Sequence, residues 1–131
     1  MSEARDMINL DIRCAELGRE LARISGVNEK LFNDALTVLE EQGPYAMFLY
    51  LKARHRKEAA PISKQSLEFL RRIFSGRLDQ GNDNQAPEEE ILNAVKELAK
   101  SLDDLLFARD LLRTAFSYAR YFLKVEGGGA S

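Results

Sequence analysis

Apolar residues recur at every third or fourth position along most of this chain, and this spacing constrains its fold more than any other feature. It is clearest in the first segment, where one side of a helix would carry Met7, Leu10, Cys14, Leu17, Leu21 and Ile24. Such spacing is typical of amphipathic helices, whereas strands alternate apolar and polar residues. Because no segment alternates and no repeat of fixed period occurs, the sequence predicts an all-α fold, a single-domain bundle of five or six helices.

Local signals divide the next part of the chain into a second and a third helix. Asn28 is placed to cap the second helix, whose inward residues would be Leu31, Phe32, Ala35, Leu36 and Leu39. Gly43 suits a left-handed position at its end, and Pro44 suits the first position of the third helix. The sequence therefore predicts a tight helix–helix turn at residues 43–44.

The third helix begins with "PYAMFLYL", which is apolar on nearly every side. We expect neighbours to surround its first half, because a surface helix is apolar on one side only. Pro61 is predicted to end it, since proline cannot continue a helical hydrogen-bond ladder. Ser63 would then cap a fourth helix, with Leu67, Leu70 and Phe74 facing inward.

The remaining sequence predicts one long loop, two more helices and a short tail. Residues 75–86 are rich in Gly, Asn and Asp and predict an exposed loop. Pro87, followed by three glutamates, begins a fifth helix, and Ser101 caps a sixth that runs from Leu102 to about Val125. We therefore expect the bundle to occupy residues 1–126 and a flexible tail to occupy residues 127–131.

Composition excludes several classes of protein. The 131 residues carry a formal net charge of −2, with 45% hydrophobic and 31% charged residues, which fits one folded domain. No apolar run reaches the roughly 18 to 20 residues of a membrane span, and no signal peptide is recognisable, so we expect a cytoplasmic protein. Cys14 lies in the apolar stripe and is predicted to be a buried small hydrophobe.

Motifs for catalysis are missing from the sequence. With one histidine and one cysteine, the chain has no zinc-binding pair, no Cys-His nucleophile and no glycine-rich phosphate loop. Its acidic clusters fall near helix ends or on polar faces, where capping and solvation explain them. We therefore expect no catalytic residue, metal, cofactor or small-molecule substrate.

Positive charge is concentrated in two places. The first surrounds His55 at the end of the third apolar segment and includes an Arg-Arg pair further along the chain. It comprises Lys52, Arg54, Arg56, Lys57, Arg71 and Arg72. The second is a stripe within about 60° on the last helix, at 100° per residue, and comprises Arg109, Arg113, Arg120 and Lys124.

Both clusters have an ordinary explanation as well as a functional one. Cations at a helix C-terminus are favoured by its dipole, and a charged stripe is commonly the solvated side of a helix. Four cations within six residues exceed what the dipole needs, and the stripe positions include no acid. These ten residues therefore predict contact with a nucleic-acid backbone, which would position the strand without reading its bases.

Two segments carry a resemblance to a known group of proteins. "LFNDALTVLEEQGPYAMFLYLKAR" and "LDDLLFARDLLRTAFSYARYFLKVEGG" resemble segments of the small helical subunits of type III CRISPR effector complexes, the Cmr and Csm small-subunit families. The resemblance implies a non-catalytic, all-helical subunit that stacks with further copies of itself and with other subunits. It also implies support of a guide RNA–target RNA duplex, or of single-stranded DNA, through the backbone.

Two other interpretations remain open at this stage. A helical protein-interaction adaptor without nucleic acid would explain the charges as solvated faces, and convergence of the two basic clusters would argue against it. A third interpretation takes "PISKQSLEFLRRIF" as the second half of a helix-turn-helix. The preceding "HRKEAAP" contains no short turn between compact helices, which weakens that interpretation.

Overall fold

The computed structural model describes the backbone of residues 2–78 and 84–126 and the side chains of residues 9–78 and 84–126. The described residues form six helices: α1 Ser2–Ala22, α2 Glu29–Gln42, α3 Pro44–Arg54, α4 Arg56–Ile73, α5 Pro87–Leu98 and α6 Leu102–Glu126. They share one apolar core and include no strand, apart from an isolated bridge between Ser75 and Leu78. The predicted all-α bundle is confirmed.

The first and last helices lie side by side and run in the same direction. The Cys14 thiol donates to the Leu111 carbonyl oxygen at 3.6 Å, and further along α1 the Arg19 guanidinium lies 3.8 Å from Glu126. Between these contacts the helices touch backbone to backbone at Gly18, where a Cβ atom would meet Ala115 O at 2.7 Å. The predicted burial of Cys14 is confirmed, since its side chain is 2% exposed.

The turn between α2 and α3 forms as its local sequence predicts. The Asn28 side chain accepts a hydrogen bond from the Leu31 amide at 2.8 Å and so caps α2. Gly43 ends that helix with φ of +97°, a conformation that favours glycine, and Pro44 opens α3. All five predicted inward residues of α2 are buried.

Helix α3 is buried on one side rather than surrounded. Met47, Phe48 and Leu51 lie in the core, where the Phe48 ring packs edge-on against another aromatic ring of the core. Tyr45 and Leu49 are exposed, so the prediction that neighbours surround the first half of this helix is wrong. The helix has more apolar residues than its core-facing side can hold, so Tyr45 and Leu49 face outward.

The boundary between α3 and α4 differs from the predicted one. Helix α3 ends at Arg54, the single non-helical residue His55 follows, and α4 begins at Arg56. Pro61 therefore lies inside α4, where it forfeits one hydrogen bond, to the carbonyl of Lys57. The fully buried Ala59 and Ile62 on either side of Pro61 stabilise this turn of helix through packing.

Ser63 is consequently not a helix cap. It lies in the middle of α4 and is fully buried, as is Ser66, and neither hydroxyl has a hydrogen-bond partner among the described residues. The inward positions predicted for Leu67, Leu70 and Phe74 are nevertheless confirmed. The helix-turn-helix interpretation loses its basis, because such a motif needs two helices joined by a turn of three or four residues. The segment that begins at Pro61 is instead the continuation of α4 from Arg56.

The connection after α4 is held in place at its start. Leu78 is buried, and the Arg77 guanidinium lies 2.8 Å from the Asp104 carboxylate of α6. Residues 79–83 of the predicted loop lie outside the described residues, and residues 84–86 are exposed. Pro87 begins α5 as predicted, and the Ser101 hydroxyl accepts from the Asp104 amide at 3.3 Å as the predicted cap of α6.

The predicted end of the sixth helix agrees closely with the structure. Helix α6 continues through Glu126, one residue beyond the predicted limit. The predicted tail at residues 127–131 lies outside the described residues.

Candidate nucleic-acid interface

Five helix ends meet at one end of the bundle, which we call the elbow end and define by Gly26, Lys30, His55 and Lys124. Helices α2 and α6 run antiparallel, because Arg113 contacts Glu40 near the end of α2 while Arg120 contacts Asn33 near its start. The last turn of α6, which carries Lys124, therefore lies beside the first turn of α2.

Helices α3 and α4 reach the elbow end from the other side. After the turn at Gly43, α3 returns along α2, and Tyr50 lies close enough to Lys30 to contribute to the raised pKa of that lysine, whose main cause is the hydrogen bond to Asp34. A Cβ atom at Gly26 would lie 2.7 Å from a Glu58 carboxylate oxygen, so the start of α4 adjoins the α1–α2 turn.

His55 is the corner that turns α3 into α4. Its φ and ψ of −132° and 60° are non-helical, its amide still bonds to the Leu51 carbonyl, and its own carbonyl accepts from Ala59 at 2.8 Å. The Tyr50 ring contacts the imidazole edge-on, with 5.7 Å between the ring centroids. The last turn of one helix and the first turn of the next are thereby fixed at an angle on the surface.

Three cations of the first cluster flank this corner, and no described acid pairs with them. Arg54, Arg56 and Lys57 are exposed, and none makes an ion pair within the described part of the chain. The nearby Glu58 carboxylate instead faces His55 at 4.0 Å. Positive charge held at a helix junction and not neutralised locally is available to an external anion.

The rest of the first cluster is directed elsewhere. Lys52 lies 3.4 Å from Glu89, and the half-buried Arg71 lies 2.9 Å from Glu90, so both face the first turn of α5. Arg72 is exposed on a separate groove between α1 and α4. The structure therefore does not bring Arg71 or Arg72 together with Arg54, Arg56 and Lys57 at the elbow end.

The basic stripe of α6 is largely neutralised by α2. Arg113 contacts both carboxylate oxygens of Glu40 and also pairs with Asp110 at 2.9 Å, and the hydrogen bond to Glu40 is the main cause that raises its pKa. Arg109 donates to the Glu40 carbonyl at 3.0 Å. The absence of acids within the stripe thus does not make it a free cationic surface, since the acid comes from the neighbouring helix.

The last two cations of the stripe differ in their surroundings. Arg120 donates to the Asn33 side-chain oxygen at 2.8 Å and lies 5.8 Å from the Tyr121 ring centroid, so it retains its net charge with a neutral partner. Lys124 is exposed and has no ion pair among the described residues. The elbow end thus combines Arg54, Arg56, Lys57 and Lys124, while Arg109 and Arg113 lie toward the other end of α2.

Sequence reasoning did not single out Arg13, which is exposed and lines the same groove as Arg72. Its position relative to Glu16 and Glu20 on α1 can be read from helical spacing. Its proximity to Arg72 cannot, because that depends on how α1 and α4 pack.

The described residues offer little to metal or thiol chemistry. They include no group of three His, Cys, Asp or Glu side chains that could hold a metal ion. Burial, and secondarily the charge of Asp11, raises the pKa of the Cys14 thiol to about 11. That thiol is therefore protonated at neutral pH, in the form that is not nucleophilic.

Within residues 2–78 and 84–126, no helix combines the length and the apolar character that crossing a bilayer requires. Comparison of the chain with models of protein families, with curated proteins and with solved structures gives no match.

Proposed function

We propose that this chain is a non-catalytic subunit that supports a nucleic-acid strand by its phosphate backbone at the elbow end. The observation that carries the proposal is the set of exposed cations at the α3–α4 corner, Arg54, Arg56 and Lys57, which have no acidic partner among the described residues, with Lys124 at the same end of the bundle. Many other basic side chains of the described surface have an acidic partner, as Arg113 and Lys52 do.

The physical basis is local electrostatics. A chain with net charge −2 does not attract a polyanion as a whole, so binding depends on cations that no acid of the chain neutralises. Rigid placement at the ends of two packed helices limits the entropy lost when these side chains meet phosphates. Because no base-reading motif accompanies them, binding is independent of base sequence and weakens steeply with salt.

The type III CRISPR effector complex is the setting that we propose, on the resemblance of the α2–α3 and α6 segments. In it this subunit stacks with copies of itself and with other subunits in the cytoplasm, and supports the guide RNA–target duplex or displaced single-stranded DNA. Cutting belongs to other subunits.

Protein interaction without nucleic acid is a second candidate, favoured by one apolar surface. Leu102, Leu106 and Phe107, in the first two turns of α6, are 69%, 44% and 40% exposed. Apolar side chains that lie together on a surface are typical of contacts with another protein. On this alternative the elbow cations are a solvated helix junction.

The experiment compares two charge-reversal pairs that lie on different helices. We expect Arg54→Glu with Arg56→Glu to weaken binding of a single-stranded RNA at least tenfold at low salt and to make its salt dependence shallower, because fewer phosphates are neutralised. The matched pair Arg109→Glu with Arg113→Glu should change RNA affinity less, since Glu40 already neutralises these arginines. Binding is measured by fluorescence anisotropy at several salt concentrations, and folding by thermal melts.

The outcomes separate the two candidates. Equal losses of RNA affinity in both pairs would contradict the assignment to the elbow end. No RNA binding at the lowest salt, by the wild type alone or within its assembled complex, would favour the protein-interaction candidate.

Affinity purification from the host tests the proposed setting. Recovery of large subunits together with a short guide RNA supports a type III CRISPR complex. Recovery of protein partners free of RNA would contradict it.

A further inference from the structure

A groove of about 620 Å³ lies between α1 and α4, on a face that the proposed nucleic-acid interface does not use. Its floor is formed by Leu17 of α1 and by Phe69 and Ile73 of α4. Leu17 and Phe69 are largely covered by the core, so the apolar floor is fixed in place.

The two helices that form the groove run in opposite directions. A smaller adjoining groove of about 280 Å³ brings Leu10 and Arg13 together with Arg72 and Ile73, whereas the α1–α2 turn lies beside Glu58. The middle of α1 is thus near the end of α4, and the end of α1 is near the start of α4. Residues of the two helices therefore lie opposite each other in pairs, one pair for each helical turn along the groove, and we call each such position a level.

Charges of opposite sign occupy different levels. Arg13 and Arg72 share the first level, and Glu16 and Glu68 share the next, one turn away on their respective helices. Glu20 follows one turn further along α1. The groove therefore has a basic end and an acidic end, with Glu16 and Glu68 one turn, or ~5 Å, from the arginines and Glu20 about two turns, or ~10 Å, from Arg13.

Most of the charges that line the groove have no ion-pair partner in the described part of the chain. Arg13, Glu16, Glu68 and Arg72 make no ion pair among the described residues, and Glu20 only approaches Arg23, at 3.8 Å. By contrast, surface pairs such as Lys30 and Asp34 lie 2.8 Å apart. Like charges placed at one level of a groove repel each other, and a partner of opposite sign would relieve that repulsion.

We propose that this groove docks an amphipathic helix of another protein. The helix places acidic side chains of its first turn beside Arg13 and Arg72, and basic side chains one to two turns later beside Glu16 and Glu68. Apolar residues at i, i+4 and i+7 cover the half-buried Ile73 and the edges of Leu17 and Phe69 that reach the groove, in the helix-in-groove mode of recognition. The acids of the groove disfavour a nucleic-acid strand, because they would repel its phosphates.

The probe is a fluorescein-labelled synthetic helix of about 16 residues, with glutamates in its first turn, leucines along one side and lysines one to two turns later. A second peptide has its glutamates and lysines exchanged. We expect the first peptide to bind the full chain at least tenfold more tightly than the second. The double substitution Arg13→Glu with Arg72→Glu should weaken binding of the first peptide at least tenfold.

A charge-inverted variant makes the test specific. Combining Arg13→Glu and Arg72→Glu with Glu16→Lys and Glu68→Lys should reverse the preference between the two peptides, which mere damage to the fold cannot do. Lys64→Glu, an exposed change on α4 outside the groove, is the matched control and should leave both affinities unchanged. Arg54→Glu with Arg56→Glu should also leave them unchanged, which separates this proposal from the nucleic-acid interface.

Several results would overturn the proposal. These are no binding of either peptide, equal binding of both, or a preference that the charge-inverted variant retains. Loss of single-stranded RNA binding on Arg13→Glu with Arg72→Glu, with no peptide binding, would assign the groove to nucleic acid. Loss of self-association by the same variant in sedimentation runs, again with no peptide binding, would assign the groove to a second copy of the chain.

Discussion

Replacing Gly18 with alanine has two opposite effects on stability, a gain in helix propensity and a loss of packing. The distances around Gly18 indicate that the loss is larger. Gly18 lies inside α1, where alanine favours the helix by roughly 1 kcal/mol. The new Cβ would lie 2.5 Å from Tyr118 Cβ, 2.7 Å from Ala115 O and 2.9 Å from Ala119 N. Two of these atoms belong to the backbone of α6 and cannot rotate away, so the helices must separate.

The size of that separation gives the expected loss. Ordinary contacts of a Cβ atom begin near 3.4 Å, so α1 must move by about 0.5 to 0.9 Å. A gap of this size forfeits a quarter to a half of each van der Waals contact, and Cys14, Leu17 and Leu21 all contribute contacts to the core. Overpacking of this kind costs about 3 kcal/mol. After the gain in propensity, we expect a net destabilisation of about 2 kcal/mol.

Urea unfolding of both proteins measures the difference in the free energy of unfolding. Asn93→Ala is the matched control, because Asn93 is exposed in the middle of α5 and the change should stabilise the protein by roughly 0.5 kcal/mol. If Gly18→Ala were as stable as the wild type, or more stable, the close approach of α1 and α6 would be wrong.

Three further predictions concern the core, a cap and the buried thiol. Phe48→Ala should cost about 3 to 5 kcal/mol in urea unfolding, because it removes a fully buried ring; a loss below about 1 kcal/mol would mean that α3 is peripheral. Asn28→Ala should cost about 1 kcal/mol by leaving the Leu31 amide without its cap, and an unchanged midpoint would contradict the capping bond. Because the pKa of Cys14 is raised to about 11 from an ordinary 9.0, its thiol ionises first in the unfolded chain. Stability present below pH 9 should therefore fall as the pH rises toward 11, whereas Cys14→Ala, titrated in parallel, should lack this part of the slope.

Features that depend on neighbouring residues in sequence were predicted correctly. The cap at Asn28, the turn at Gly43 and the helix start at Pro87 each follow from the chemistry of one or two residues. Burial of Cys14 and Leu17 on α1 was equally predictable from the sequence, because it follows from helical spacing.

The corner at His55 was not predictable in the same way. It contains neither glycine nor proline, whereas Pro61 carries the expected signal and lies within a continuous helix. Packing of the buried Ala59 and Ile62 outweighs the hydrogen bond that Pro61 forfeits, and α4 as a whole packs against α1, which is distant in sequence. Local propensity therefore placed the break six residues too late.

Helical spacing predicts which cations share one side of a helix, but not which of them an acid neutralises. Helical spacing placed Arg109 and Arg113 on one side of α6, and they do lie together beside Glu40. Glu40 is 73 positions from Arg113 in sequence, so a projection of one helix cannot show that it neutralises them. Which cations remain unpaired is a property of the tertiary structure.

The pairing of α1 with α6 has a consequence for how the protein is made. Cys14 and Leu111 are 97 positions apart, so the apolar stripe of α1 gains its main partner only after α6 has left the ribosome. Until then the nascent chain carries an uncovered amphipathic helix, which is a target for chaperones and for premature aggregation. Closing so long a segment also slows the final step of folding, because the entropy of loop closure is lost before the contact forms. We therefore expect cooperative folding once α6 has left the ribosome rather than helix by helix before it, with resistance to proteolysis arising in ribosome-bound chains only once all of α6 is exposed.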